Sequence, residues 1–167
     1  LSICATRRHA LRNRAIMLLS FYAGLRAKEI AALTISDVIN DNGEIKPECM
    51  LAPHKTKGNK SRRIFLNSRL QRELSVYLKS IKYTSGSSPL FQTQKNTPFS
   101  ANSMCHLFLK IYQAAGLDGA SSHSGRRSLL TSLASKGVSV RVLQEIAGHS
   151  NISITQRYID VNDSYIK

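Results

Sequence analysis

The sequence predicts a mainly helical α+β domain carrying one small antiparallel sheet of about three strands. Three observations lead there. Apolar residues recur at three- and four-residue intervals through most of the chain, the spacing that lines up one face of a helix. Only the stretch from Ile35 to Leu66 departs from that rhythm, with short β-branched or apolar runs between turn signals. And 167 residues, 42% of them hydrophobic with nine Gly and four Pro, suffice for one domain, residues 1–167, with a proper core.

Residues 7–23 read as a helix with Leu11, Ala15, Leu18, Leu19 and Tyr22 on its apolar face. Arg7, Arg8, Arg12 and Arg14 occupy much of the remainder. Gly24 breaks the pattern, and a second helix follows from about Arg26 to Leu33. Asp41-Asn42-Gly43 and Lys57-Gly58-Asn59-Lys60 are turn signals. Around them Val38-Ile39, Cys49-Met50-Leu51 and Ile64-Phe65-Leu66 read as the strands, with Pro47 and Pro53 making the edges irregular. Leu70, Leu74, Tyr77 or Leu78, and Ile81 mark the next helix. Residues 83–99 form a connecting loop, pinned to the core by Pro89-Leu90-Phe91. Met104, Leu107, Phe108, Ile111, Tyr112 and Ala115 make a helical stripe that Gly116 ends. Helices are then expected at 124–135, 139–147 and 153–163, with Ser139 and Ser153 as N-caps and Gly137 and Gly148 as stops.

Lys and Arg number 24 against 10 Asp and Glu, a balance of +14. A surface that basic repels itself unless it meets a polyanion, and nucleic acid is the commonest one. The basic residues are spread along the chain rather than gathered on one amphipathic helix, which argues against a membrane surface. The longest apolar candidate, Ala15 to Leu25, is short and broken by Ser20 and Gly24, so it reads as a core helix and not a span. The start, Leu1-Ser2-Ile3-Cys4-Ala5, lacks a signal peptide's order of charge then apolar run. Cys4, Cys49 and Cys105 are odd in number and far apart, without metal-ligand or disulfide spacing. They are expected to be reduced and mostly buried, in a cytoplasmic protein.

Cutting a DNA strand without a metal sets definite requirements. Negative charge builds on the non-bridging phosphate oxygens, and arginine's planar, permanently charged fork suits them. A nucleophile, a base for it and an acid for the leaving oxygen complete the set. His123 and Arg126, three residues apart at a helix start, share one face, where a helix N-terminus adds its own attraction for phosphate. Arg26 and Glu29 share another face, either as a surface ion pair or with Glu29 orienting a neighbour in a site. Lys57, with Lys55, Lys60, Arg62 and Arg63 around it, forms either a solvated basic turn or a hairpin tip laid along DNA.

Together these residues resemble the catalytic domain of the tyrosine recombinases, the phage integrase family, over nearly the whole chain. Gly24-Leu25-Arg26-Ala27-Lys28-Glu29 is similar to the first arginine motif. Thr56-Lys57-Gly58-Asn59-Lys60-Ser61-Arg62-Arg63-Ile64 resembles the hairpin that carries the family's lysine, giving Lys57, with Lys60 as the alternative. His123-Ser124-Gly125-Arg126 fits the His-x-x-Arg box and Gly148-His149-Ser150 the Gly-His box. Tyr158 falls where the nucleophile belongs. Arg127 stands where many relatives have His, off the expected catalytic face but among the residues expected to touch DNA.

The resemblance implies a site-specific recombinase. Tyr158 attacks the phosphate, His123 accepts its proton, Arg26 and Arg126 clamp the oxygens, His149 hydrogen-bonds one of them, and Lys57 protonates the leaving group. A phenol's ordinary pKa of about 10 is why the nucleophile needs such help. The resemblance implies no metal or other cofactor. It implies double-stranded DNA with a specific site as partner, a homotetramer on two duplexes and a monomer without DNA. The setting would be the cytoplasm of a bacterial or phage-infected cell, in the integration or excision of a mobile element. A type IB topoisomerase or a non-catalytic DNA-binding protein is the alternative. Relatives carry an N-terminal helical domain absent from this chain, which is therefore expected to be a fragment, and a docking C-terminal tail that would here be short or missing.

Overall fold

The computed structural model describes Cys4, residues 9–56 and residues 58–163, the last five of these by backbone alone. Arg7, Arg8 and Lys57 lie outside the described residues.

Helix α1, Ala10–Ala23, is the central element, with Ile16 and Leu19 fully buried. Neighbours pack on several sides of it, so its burial is wider than one stripe. Leu11, expected inside, is 39% exposed, while Arg12, expected outside, is 6% exposed. The Arg12 guanidinium has partners inside. It donates to Asn13 Oδ1 at 2.9 Å and to the Gln92 carbonyl at 2.8 Å, and it lies 5.3 Å from the Phe99 ring centre. It thereby pins the long loop before residue 100 onto α1.

Two short helices follow, α2 at Ala27–Ala31 and α3 at Ile35–Val38. Each is started by a carboxylate three residues beyond its cap. Glu29 accepts the Arg26 N–H at 2.8 Å and Asp37 accepts the Thr34 N–H at 2.7 Å. That second box overturns one expected strand: Val38 ends α3, and Ile39 makes only an isolated bridge to Ile45. The sheet among the described residues therefore has two strands, not three. Strand β1, Glu48–Leu51, pairs antiparallel with β2, Arg62–Phe65, setting Cys49 opposite Ile64 and Leu51 opposite Arg62 on the inward face.

Helix α4, Ser68–Lys79, is capped by Asn67, which accepts the Leu70 N–H at 2.9 Å. Leu90 and Phe91 are buried as expected, and Tyr77 donates to the Leu90 carbonyl at 2.9 Å. Then come α5, Ala101–Ala114, α6, Ser124–Ser135, α7, Val140–Ala147, and α8, Ile152–Asp163. Helix α8 begins one residue earlier than expected because Asn151, not Ser153, caps it, accepting the Ser153 N–H at 2.9 Å. Cys4 and Cys49 are buried and Cys105 is exposed, all as free thiols.

Helix α1 packs against α4 and α6, α2 against α5, and α8 against both α6 and α7. The apolar interior falls into two parts. The large one joins the elements from α1 to α5. A small satellite joins Leu130, Leu143 and Ala147, with Leu133, Val138, Ile146 and Tyr158 packed on it. Among the described residues no helix is long and apolar enough to cross a membrane.

Candidate active site

Helix α6 enters close against α1 because residue 125 is glycine. A Cβ there would lie 2.7 Å from Ser20 Oγ and 3.0 Å from the Phe21 ring. The turn before it is held by hydroxyls, Ser121 Oγ accepting the His123 N–H at 3.3 Å and Ser124 Oγ the Ser121 N–H at 2.9 Å. This sets exposed His123 at the helix start and sinks Arg126 to 3% exposure.

Three arginines from distant parts of the chain converge on the last turn of α7. Arg62 donates to the Ile146 carbonyl at 2.5 Å, Arg126 to the Ala147 carbonyl, and Arg26 to the Gly148 carbonyl at 3.2 Å. A helix C-terminus leaves these carbonyls without internal partners and carries partial negative charge, so cations belong there. Arg126 also reaches the Gly24 carbonyl at 2.5 Å. Between Arg26 and Arg62 sits Glu29, fully buried, with one oxygen 2.9 Å from Arg26 and the other 2.8 Å from Arg62. Burial alone would raise its pKa, but the Arg62 charge and the Arg26 N–H and guanidinium hold it below the ordinary value, so it is a carboxylate. Glu29 is thus no surface pair: it is the buried acid between two of the site's cations. Burial and the charges of Arg26 and Arg62 press Arg126 down to about 9, which leaves it a guanidinium at neutral pH.

Gly148, at φ +56°, closes α7 in the left-handed conformation and turns the chain so that His149 follows. His149 Nδ1 lies 2.9 Å from the hydroxyl of fully buried Thr155. Its ring runs nearly parallel to that of Tyr158, with centres 6.2 Å apart. Burial, with Arg126, Arg26 and Arg62 nearby, lowers the His149 pKa to about 4, so the imidazole is neutral.

These side chains open on one cleft of about 400 Å³, lined by Arg26, His123, Arg126, His149 and Tyr158 together with Ser121, Arg127 and Ile154. Five of the six residues expected to be catalytic therefore meet, and the sixth, Lys57, is outside the described residues. Arg127 was expected off the catalytic face, and it lines the cleft instead. Lys60 and Arg63 are exposed on the hairpin, Arg63 lying 3.7 Å from Glu48. Two other residues expected to touch DNA turn inward. Lys55 is 9% exposed and bonded to Asp37 at 2.5 Å, and Arg62 is 7% exposed. Each is drawn in by the carboxylate that starts a short helix. Thr155 and Ser121 were missed. A hydroxyl bonding an imidazole six residues away across a helix start follows no sequence period. Among the described residues, no cluster of three His, Cys, Asp or Glu stands together as a metal site.

The phage integrase family model matches residues 1–164. The chain belongs to the phage integrase family. Relatives include tyrosine recombinase XerC of Lactobacillus delbrueckii subsp. bulgaricus, 31% identical over 162 residues, which cover 93% of this chain and 52% of that protein. Another is tyrosine recombinase XerA of Pyrococcus horikoshii, 33% identical over 161 residues, covering 94% of this chain and 53% of that one. The chain thus spans about half the length of the curated relatives it matches. Among solved structures, XerA recombinase superposes with a TM-score of 0.78 at 24% identity, over 98% of this chain and 58% of that one. The integrase of transposon Tn1549, in complex with circular intermediate DNA, gives 0.71 at 21% identity, over 94% and 58%. Both likenesses are of fold. In this phage integrase family member, the cleft sets a phenol beside a neutral imidazole and two arginines, a constellation suited to phosphoryl transfer.

Proposed function

We propose that the chain is the catalytic part of a site-specific DNA recombinase that cuts and rejoins strands through a 3′-phosphotyrosine, serving a mobile element. The observation that carries this is that Tyr158 shares one cleft with Arg26, His123, Arg126 and His149. Tyr158 Oη attacks the scissile phosphorus and the bond to the 5′ oxygen breaks. The phenolic proton passes to His123, and Lys57 gives a proton to the leaving oxygen, yielding a free 5′-hydroxyl. Arg26 and Arg126 hold the non-bridging oxygens, and His149, neutral and oriented by Thr155, hydrogen-bonds one of them. A 5′-hydroxyl from another strand reverses the step, so the phosphodiester's energy is conserved. The protein acts in the cytoplasm on double-stranded DNA, as a tetramer spanning two duplexes. Lys60, Arg63 and Arg127 meet the DNA backbone.

The test is covalent capture. Purified protein is incubated with a library of nicked duplexes randomised around the nick, and SDS-resistant adducts are recovered and sequenced. The wild type forms adducts on a defined site, and Tyr158→Phe forms none while still retarding the captured duplex on a gel. Adducts from the phenylalanine variant would remove Tyr158 as nucleophile. Exchange between two copies of the captured site supports a recombinase, whereas relaxation of any plasmid without a site would point to a topoisomerase.

A further inference from the structure

We infer that Arg62 is a positioning residue for strand cleavage: it joins the β-hairpin, the Arg26–Glu29 pair and the end of α7 that presents His149 into one unit around the phosphate-binding arginines. The inference rests on the recombinase reading of the cleft.

Three chain segments meet at this one guanidinium. Nη1 donates to Glu29 Oε2 at 2.8 Å, and Nη2 donates to the Ile146 carbonyl at 2.5 Å and the Gly24 carbonyl at 3.4 Å. Each partner leads directly to a residue of the cleft. Glu29 holds Arg26 through both its guanidinium and its backbone N–H. Ile146 lies three residues before His149. The Gly24 carbonyl also receives Arg126. The side-chain stem matters as well. A Cβ on Gly148 would lie 2.6 Å from Arg62 Cδ and 3.1 Å from Nε, so the left-handed turn that aims His149 is moulded onto this arginine. Arg62 itself does not line the cleft, so it acts through the residues that do.

Its removal would have two consequences. Glu29, fully buried, would keep Arg26 as its one ion pair among the described residues, and the carboxylate would draw that guanidinium away from phosphate. The Ile146 carbonyl would lose its cation, loosening the turn before His149. Lysine cannot restore the arrangement, because a single compact ammonium cannot span a carboxylate and a carbonyl on opposite sides as a planar fork does.

The experiment uses the nicked duplex captured by the wild-type protein. For Arg62→Lys we expect unchanged affinity for that duplex and a cleavage rate at saturating DNA about 100-fold lower, the scale of a misplaced catalytic group. A cleavage rate equal to wild type at saturating DNA, whatever the affinity, overturns the inference. Should Arg62→Lys fail to fold, the comparison moves to E29Q/R62M against E29Q, since the double change leaves no buried charge unpaired between these two positions. The double variant cleaving more slowly than E29Q supports the role of Arg62, and equal rates sink it. Absence of any wild-type adduct would instead count against the recombinase reading itself.

Discussion

His149 is a histidine that does not behave as a titrating group near neutrality. Its pKa sits at about 4, lowered from 6.5 by burial and three arginines. Between those two values the unfolded chain binds a proton that the folded chain refuses, so stability rises with pH across the window and is lost as pH falls through it. The denaturant midpoint should therefore drop on acidification from neutrality toward pH 4, and His149→Gln should remove part of that drop. By the same reasoning, the cleavage rate should show no step from His149 at neutral pH. Arg26, His123 and Arg126 could be picked out because each is a type that phosphate chemistry needs, in a short spacing on a helix, while His149 and Tyr158 were placed by the family resemblance, and Ser121 and Ile154, which also line the cleft, were not foreseen. Arg62 and Lys55 could not be placed the same way. A basic residue in a strand or turn looks alike whether it faces water or a buried carboxylate, and only the fold brings Glu29 and Asp37 to them. We expect Asp37→Ala to cost about 1 kcal/mol or more, from the lost cap plus an unpaired Lys55, read from urea denaturation.

The elements succeed or fail as readings according to how many sides they bury. Helices α4 and α5 bury one stripe and follow their periodicity. Helix α1 has neighbours on several sides, so its burial is not periodic and Leu11 and Arg12 exchange roles. The missing strand has a local cause, a Thr34–Asp37 capping box that commits Ile35–Val38 to a helical turn. Gly148 tests how the end of α7 is built. Its φ of +56° costs an L residue about 1–2 kcal/mol, and a Cβ would also strike Arg62. Gly148→Ala should lower the unfolding free energy, read from urea denaturation, by at least that much and slow adduct formation together. A variant with full stability and full activity would show that the turn tolerates what the geometry forbids.

Across the whole molecule the charge of +14 becomes a salt dependence. Neutralising six phosphates would make affinity fall about a thousandfold between roughly 50 and 200 mM salt. Replacing Lys60 and Arg63 with Gln should flatten the slope by about 0.9 for each phosphate left without its cation. Filter binding over a salt series reads both. The two-part interior carries a further consequence. Helix α8, which bears Tyr158, rests on a satellite with three fully buried apolar side chains among the described residues, apart from the large core. Small units open before large ones. On warming, adduct formation should therefore vanish at a temperature where the circular dichroism of the other helices is still intact. On the recombinase reading the molecule carries a fuse: heat disarms Tyr158, the proposed nucleophile, before it unfolds the scaffold proposed to hold DNA.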